Sequence, residues 1–234
     1  MSNAVAPKSA EQPVGPAVDA RPAERPGAVA LAGRYGRVER LDPARHAADL
    51  WKALGADERL WTYMFYGPFA DAGDFTKFLE KIAAFDAQAY YTIVDRENRA
   101  VGWASLMEIR PVPRVIEIGS IVYGSALQRT PLATEAQYLL ARYAFDTLRY
   151  RRYEWKCDAL NAASRRAALR LGFSFEGIFR QHMIVKGRNR DTAWFPLLDS
   201  EWGRAKAAFE RWLAAENFDG ARQRRSLATI RNSL

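Results

Sequence analysis

The amino-acid sequence predicts a mixed α/β (α+β) fold in which helices flank one central mixed sheet of six to seven strands. Over 234 residues, the hydrophobic share of 49% and the charged share of 26% are typical of a globular chain with one core. Residue periodicity predicts two helices, three strands, a helix, a strand, a helix and a hairpin in succession. This order favours helices packed around one sheet.

The first half of the chain is predicted to hold a tail, two helices and the early strands of the sheet. Residues 1–30 are rich in Ala and Pro and lack a sustained period, which predicts a disordered tail. The domain is predicted over residues 31–215. Its early elements are a weak strand Tyr35–Leu41, helices Ala44–Leu54 and Ala72–Phe85, and strands Tyr90–Val94, Ala100–Ile109 and Val115–Tyr123.

The second half is predicted to alternate helices and strands and to end in a polar tail. Its elements are helix Leu132–Leu148, strand Tyr153–Ala159, helix Ala162–Leu171, a hairpin of Phe175–Val185 and Thr192–Leu198, and helix Ser200–Ala215. Residues 216–234 are polar and Arg-rich, which predicts a basic C-terminal tail.

Composition excludes several classes of protein. No run of about 18 apolar residues occurs, and no apolar stretch marks a secretory signal, so we expect neither a membrane span nor export. A single cysteine, Cys157, rules out an internal disulfide and fits the cytoplasm. With two histidines, little material remains for a metal site. The formal charge of +8 indicates either a solvated basic surface or an anionic ligand such as a nucleotide cofactor, an acidic peptide or RNA.

Two segments carry alternatives that the sequence leaves open. The stretch Arg59–Phe69 is dense in aromatic residues, which either line a pocket or roof the core. Arg188, Arg190 and Asp191 lie in the turn region of the predicted hairpin, where a solvated tip is the simpler interpretation than chemistry. Cys157 lies in a strand and is expected to be a buried structural thiol.

A candidate anion site lies where the strand Val115–Tyr123 leads into the helix Leu132–Leu148. The loop turns directly into the helix, so several backbone N–H groups without helical partners point to one place. The helix dipole adds partial positive charge, and the Arg129 guanidinium adds a further cation. These features suit a pyrophosphate, although every helix has such an end and the pattern by itself is not specific.

The residues of this loop resemble the cofactor motif of the GNAT acetyltransferase family, in its ribosomal-protein N-acetyltransferase branch. The motif reads Gln/Arg-x-x-Gly-x-Gly/Ala and often continues Thr-Glu-Ala. Gln128, Ala133 and residues 134–136 match, whereas Pro131 replaces the first glycine and removes one N–H donor. The resemblance implies acetyl-CoA as co-substrate, bound in this loop by Gln128, Arg129, Thr130, Leu132, Ala133 and Thr134.

A second stretch resembles the other cofactor motif of the same branch. Asn161 and Ser164 are followed at the family spacing by Leu-Gly-Phe at 171–173. The resemblance implies that Asn161 binds near the pantetheine arm and that Ser164 lies near the thioester sulfur. The simpler alternatives are a helix cap and a neutral helix residue. Many family members use a tyrosine as general acid seven residues after the asparagine, but Ala168 stands there, so the resemblance leaves Ser164 as the acid.

The resemblance implies direct attack of a primary amine on the thioester in a ternary complex, without a metal. It also implies a splayed strand whose backbone N–H groups, within Ile118–Tyr123, hold the oxyanion, and cofactor contacts at Ile121, Val122 and Tyr123. The branch can supply a glutamate as the base, but its position falls near Met183 in this sequence. A methionine cannot act as a base. His182, Glu117 and an ordered water remain as candidate bases. His182 would face the site only if a bulge re-aims it.

The sequence therefore predicts an N-acetyltransferase that acts on a protein or peptide N-terminus or on a small-molecule amine. The alternative is a non-catalytic CoA-binding or RNA-binding module on the same fold, because Pro131, Ala168 and Met183 depart from the family pattern. The resemblance also allows a homodimer, which nothing in the sequence fixes.

Overall fold

A computed structural model describes residues 12–220 and 222–234. The eight strands of its main sheet are β1 (Ala30–Ala32), β2 (Gly36–Arg40), β3 (Ala89–Asp95), β4 (Ala100–Arg110), β5 (Val115–Tyr123), β6 (Arg152–Asp158), β7 (Gly177–Val185) and β8 (Arg188–Leu198). They lie in the order β1-β2-β3-β4-β5-β6-β8-β7. A separate two-stranded sheet pairs β9 (Phe218–Asp219) with β10 (Arg222–Gln223).

The helices are α1 (Pro43–Leu54), α2 (Ala72–Ala83), α3 (Pro131–Arg142), α4 (Ala162–Leu171), α5 (Asp199–Leu213) and α6 (Leu227–Asn232). Local chemistry sets several of their ends. The Asp42 and Asp71 side chains accept hydrogen bonds from the first-turn amides of α1 and α2. Gly172 ends α4 in the left-handed region, at φ +106°. The long helix predicted to reach Leu148 is α3 followed by one π-helical turn, Tyr143–Thr147.

The predicted fold class is confirmed, since one mixed sheet is flanked by helices. All neighbouring strands run antiparallel except β5 and β6, which are parallel. The sheet has eight strands where six to seven were expected. The additional strand is β1, whose three residues pair with β2 and are too short to show a period of two in the sequence.

The sheet separates two apolar clusters, and strand alternation determines which side chains enter each. In β4, Trp103 packs with α1 and α2, whereas its neighbour Ala104 packs in the larger cluster with α3, α4 and α5. In β3, Tyr90 and Tyr91 divide in the same way. We call the two sides the α1/α2 face and the α3/α5 face.

The N-terminal segment, predicted as a disordered tail, is bonded to the domain from Ala23 onward. Residues 1–11 of that tail lie outside the described residues. Further on, the amide of Ala23 donates to the Pro111 carbonyl at 3.0 Å. Gly27 accepts a hydrogen bond from the Tyr91 hydroxyl at 2.8 Å. The segment is therefore held by backbone hydrogen bonds, which a search for apolar periodicity does not detect.

The C-terminal segment 216–234 also differs from the predicted polar tail. It forms β9, β10 and α6, and the side chains of Leu227 and Ile230 are buried in the larger cluster. Arg231 donates to the carbonyl oxygen of Arg170 at 2.8 Å, which ties α6 to the end of α4. Two apolar residues among many arginines are too weak a pattern to predict this packing.

Candidate active site

The central feature of the site is a split between the two parallel strands. β5 and β6 pair from Val115 and Arg152 to Ile118 and Trp155, and then separate. Beyond that point β5 continues to pair with β4, while β6 continues to pair with β8. The strands therefore open a wedge whose closed end lies at Ile118, and the β5 edge beyond it is available to a ligand.

A bulge in β5 shapes the wall of this wedge. Gly119 pairs with Ser105 and Val122 with Trp103, so β5 contains one residue more than β4 between these pairs. Ser120 lies in the left-handed region at φ +47°, a conformation rare outside glycine. Such strained residues concentrate at binding sites and active sites. The bulge thus marks the backbone of Gly119–Val122 as a candidate oxyanion and cofactor site.

The predicted phosphate loop forms the N-terminal end of α3. Thr130 is the cap, and its hydroxyl oxygen accepts a hydrogen bond from the Ala133 amide at 3.2 Å. Pro131 takes the first helical position, as expected for a residue without an N–H. Within the described part of the chain, the amides of Arg129 and Leu132 have no acceptor. Arg129 is exposed at φ +63°. Two amides and one cation therefore remain for an anion.

Other residues of the predicted cofactor set hold the loop in place. The Gln128 side-chain amide donates to the Tyr123 carbonyl oxygen at 2.8 Å. The buried Thr134 hydroxyl accepts from Arg170 at 3.1 Å. The side chain of Val122 is buried on the α1/α2 face, and Ile121 is half-buried. These residues would therefore contact a cofactor mainly through backbone atoms.

A shallow cleft of about 420 Å³ beside Thr130 and Leu132 is a poor phosphate site. Its charged lining residues are Asp49, Lys52, Asp95, Glu97 and Arg99. The three carboxylates outnumber the two cations and would repel a phosphate. The wedge between β5 and β6 is the better match for an anionic cofactor.

The second motif lies across the wedge, at the start of α4. Asn161 is the helix cap, and its Oδ1 accepts a hydrogen bond from the Ser164 amide at 3.0 Å. The Ser164 hydroxyl accepts one from Trp155 Nε1 at 2.9 Å. Cys157 is buried close by, and burial raises the pKa of its thiol, as expected for a structural cysteine. The Trp155 contact leaves the Ser164 proton free to be donated.

Glu117 lies beside the closed end of the wedge, on the α1/α2 face. It alternates with the inward residues Ile116 and Ile118, and Glu154 is its partner on β6. Lys156 Nζ is 2.8 Å from Glu117 and 3.1 Å from Glu154, so one cation serves two carboxylates. Burial outweighs that cation and raises the pKa of Glu117 to about 7.

His182 lies on β7, at the edge of the sheet. A bulge between Phe179 and Met183 gives β7 two more residues than β8, and its Gln181 has φ +52°. The ring of His182 is consequently turned toward β8, where Nδ1 is 2.9 Å from the Thr192 hydroxyl. The Trp194 ring lies 6.0 Å from it. His182 thus shares the α1/α2 face with Glu117, at the outer strands.

Part of the aromatic loop roofs the core, which is one of the two interpretations that the sequence leaves open. Trp61 is buried against Trp103, with ring centroids 6.0 Å apart, and roofs the α1/α2 core. Tyr63 and Phe65 are exposed, and the Tyr63 hydroxyl reaches the Leu160 carbonyl at the end of β6. The loop therefore extends from the core to the end of the wedge.

Sequence reasoning missed two cations of the site. The sequence places Lys156 in a strand but does not reveal its partners, because Glu117 and Glu154 become its neighbours only through sheet pairing. Arg190 was placed at a solvated hairpin tip, but it is buried. The hairpin turns earlier, at Lys186-Gly187, and leaves Arg190 inside a strand. The sequence did carry a signal for this position. If the strand is taken to start at Arg188, the alternation counted back from Ala193 places Arg190 on the opposite face of the sheet.

The described residues also bear on metal binding and on membrane spanning. Among the residues that the structure describes, no group of three or more His, Cys, Asp or Glu side chains could hold a metal ion. In the same part of the chain, no helix has the length and apolar character needed to cross a membrane.

Comparison with known proteins agrees with this geometry. The family model of the GNAT acetyltransferase domain matches residues 37–174, more than half of the chain. No curated protein matches the chain. A GCN5-related N-acetyltransferase from Brucella melitensis is 46% identical, with a TM-score of 0.88, over 91% of this chain and 98% of that one. A GNAT-family protein from Chromobacterium violaceum is 39% identical, with a TM-score of 0.76, over 82% and 100%.

A more distant structure shares the fold alone. Spermidine N-acetyltransferase from Vibrio cholerae, solved with CoA and spermine, is 18% identical with a TM-score of 0.58. The match covers 70% of this chain and 96% of that one.

Proposed function

Because this chain belongs to the GNAT family of acetyltransferases, we propose that it transfers an acetyl group from acetyl-CoA to a primary amine. The amine is a protein or peptide N-terminus or a small molecule, and it attacks directly in a ternary complex. The observation that carries this proposal is the position of Glu117, a buried carboxylate whose pKa is raised to about 7, beside the closed end of the β5–β6 wedge.

The residues around the wedge fit acetyl-CoA. The free amides of Arg129 and Leu132 at the start of α3 suit a pyrophosphate, and the unpaired β5 edge suits an amide-bearing arm. When bound, the co-substrate supplies an activated acetyl thioester. We propose cofactor contacts at Ile121, Val122, Tyr123, Gln128, Arg129, Thr130, Leu132, Ala133, Thr134, Asn161 and Ser164.

Arg129→Ala tests the phosphate loop. We expect the Kd for CoA to rise about 3–10-fold, because an exposed charge-assisted contact is lost while the backbone amides remain. Isothermal titration at two salt concentrations measures the effect, which should shrink at high salt. Arg149→Ala is the matched control, since Arg149 is also exposed and has φ +68° but lies away from the loop. Equal affinities in the Arg129 variant and the wild type would remove Arg129 from the site.

The proposed chemistry divides proton handling between the two faces of the sheet. Glu117 accepts the proton of the acceptor ammonium, directly or through one ordered water. Backbone N–H groups at the Gly119–Val122 bulge stabilise the oxyanion, a contribution of about 3–4 kcal/mol for preorganised donors. Ser164 donates a proton toward the departing thiolate, whose low basicity makes this step the least demanding. His182 is the second candidate for the base.

Ser164→Ala separates catalysis from packing. We expect kcat to fall about tenfold or less, because a thiolate of pKa about 8.5 leaves without full protonation. The variant also leaves the Trp155 N–H without its acceptor, which should cost about 1–2 kcal/mol of stability. Steady-state kinetics and thermal unfolding measure the two effects. Ser164→Thr, which keeps the hydroxyl, is the control, and an unchanged kcat in Ser164→Ala would exclude the acid role.

The proposed function is tested by release of the CoA thiol from acetyl-CoA in the presence of N-terminal peptides, polyamines and small aromatic amines. We expect acceptor-dependent release with at least one class. Release that needs no amine, or none with any amine, would contradict the proposal. In the second case, RNA binding that weakens steeply with salt would favour the non-catalytic alternative.

A further inference from the structure

We propose that Arg190 binds a carboxylate on the acceptor, so that the substrate is an amine that also carries an acidic group. This inference rests on the proposed acetyl transfer and specifies the substrate of that same site. Arg190 is a buried cation that has no function in the proposed chemistry.

Arg190 lies beside the outer end of β6 on the α1/α2 face. In β8, Ala193 points into the larger cluster, so Thr192 and Arg190 point to the opposite side by alternation. The Ala159 amide, at the end of β6, donates to the Asp191 carbonyl at 2.8 Å, which fixes this part of β8 against β6. The guanidinium therefore shares a face with Glu117, His182 and Trp194.

The Arg190 side chain lacks a partner of its own. The residue is 9% exposed, and its Nε is buried without a hydrogen-bond acceptor. Among residues 12–220 and 222–234, this guanidinium has no hydrogen bond or ion pair, and of its three nitrogens only Nε is fully buried. Asp158 lies opposite Thr192 in register, but its carboxylate accepts from the Leu160 amide at 2.8 Å. Burying a cation without a partner is costly, and an anionic ligand would offset that cost.

The aromatic loop covers the side chain of Arg190, and we call this arrangement the enclosure. The Arg190 guanidinium stacks over the Phe65 ring at 4.9 Å. From the hairpin tip, Lys186 Nζ donates to the carbonyl oxygens of Trp61, Tyr66 and Gly67 at 2.9, 3.2 and 2.7 Å. The hairpin thus anchors the aromatic loop above the face that carries Glu117. Phe65 is half exposed, so one side of the enclosure is open to a ligand.

The charges of this enclosure complement a zwitterionic acceptor. The carboxylate of Glu117 attracts the ammonium group that is to be acetylated, and Arg190 supplies the opposite charge on the same face. Lys156 is a second, half-buried cation on this face, but it already pairs with Glu117 and Glu154. A guanidinium matches a carboxylate with two parallel hydrogen bonds, which a lysine cannot provide. Arg190 is therefore the group suited to bind the carboxylate of the acceptor.

Matched acceptors test the proposal. One pair is 6-aminohexanoate and its amide, and the other is the amidated dipeptides Ala-Asp and Ala-Asn. Within each pair the amines are alike, and the two pairs distinguish a free small acid from an acidic peptide. We expect the wild type to prefer the acidic member of at least one pair by about 10–100-fold in kcat/KM, the range of one charge-assisted contact. Arg190→Met should abolish the preference and leave the neutral acceptors unchanged.

The controls separate recognition from folding and from failure of acetyl transfer. Arg190→Lys should restore part of the preference, and Arg188→Met, at an exposed position on the same strand, should not alter it. Glutarate, but not glutaramide, should raise the Tm of the CoA-loaded wild type and not that of Arg190→Met. No preference in the wild type, or an equal fall for both members of a pair in Arg190→Met, would overturn the proposal. Stabilisation by glutarate without acetylation of any amine would support the Arg190 site while contradicting the proposed function.

Discussion

Replacing Glu117 by Gln is expected to lower kcat/KM for amine acceptors by about 10²–10⁴-fold, the range for loss of a positioned general base. The substitution preserves size and removes the carboxylate that we propose as proton acceptor beside the wedge. Steady-state kinetics with saturating acetyl-CoA measures the loss, and titration with CoA should give an unchanged Kd. His182→Ala is the matched comparison, and a larger loss there than in Glu117→Gln would transfer the base role to His182.

The pH dependence gives an independent signature of Glu117. Burial raises the pKa of this carboxyl to about 7, so the basic form accumulates as pH rises from 6 to 8. We expect kcat/KM of the wild type to rise through an inflection near pH 7. The inflection should vanish in Glu117→Gln, leaving only the titration of the amine substrate. An inflection that persists in the variant would contradict the assignment.

As pH rises, the contribution of Glu117 to thermal stability should fall, whereas its contribution to activity should rise. A carboxyl whose pKa is raised from 4.5 to about 7 favours the folded state most below pH 4.5, and this contribution is lost as pH rises to 7. The difference in Tm between Glu117→Gln and the wild type should therefore shift in favour of the variant as pH rises from 5 to 8. Lys156 keeps Glu154 as a partner in the variant, which limits the cost of the lost ion pair.

Replacing Glu135 by Ala is expected to destabilise the fold by about 3 kcal/mol. Glu135 lies in α3 and is a buried residue. Its carboxylate accepts hydrogen bonds from the amides of Arg34 and Tyr35 in the β1–β2 turn. Removing it leaves both amides without their charged acceptor, at about 1.5–3 kcal/mol each before relaxation. Gly33 packs against the same carboxylate with no room for a Cβ.

Thermal unfolding measures the Glu135 effect. We expect Tm to fall by about 6–12 °C for a chain of this size. Glu135→Gln keeps one acceptor oxygen and should fall between Ala and the wild type. Glu97→Ala removes an exposed carboxylate and should change stability by less than about 0.5 kcal/mol. A Tm for Glu135→Ala equal to that of Glu97→Ala would refute this role.

The sequence predicted the elements that position the site because their patterns are long and local. Strand Val115–Tyr123 and helix Ala162–Leu171 were predicted with the bounds that the structure has. The caps Thr130 and Asn161 are likewise readable from neighbouring residues. Short segments such as β1 and α6 were not predicted, since three to six residues carry too little periodicity.

The charge arrangement of the site could not be predicted in the same way. The proximity of Glu117, Lys156 and Glu154 follows from parallel pairing of strands that are far apart in the chain. The burial of Arg190 depends on where the hairpin turns and on an aromatic loop more than 100 residues earlier. The orientation of His182 depends on a bulge whose extra residues have no composition signal.

Whether the protein transfers the acetyl group to nitrogen at the Glu117 wedge is decided by the bond formed in the product. Radiolabelled acetyl-CoA is incubated with an amine acceptor and the wild type or Glu117→Gln, and the labelled product is treated with hydroxylamine, which cleaves esters and thioesters but spares amides. We expect a hydroxylamine-resistant product from the wild type, and we expect its rate of formation to fall by at least about 100-fold with Glu117→Gln. A product that hydroxylamine releases, or equal rates from both proteins, would contradict this expectation.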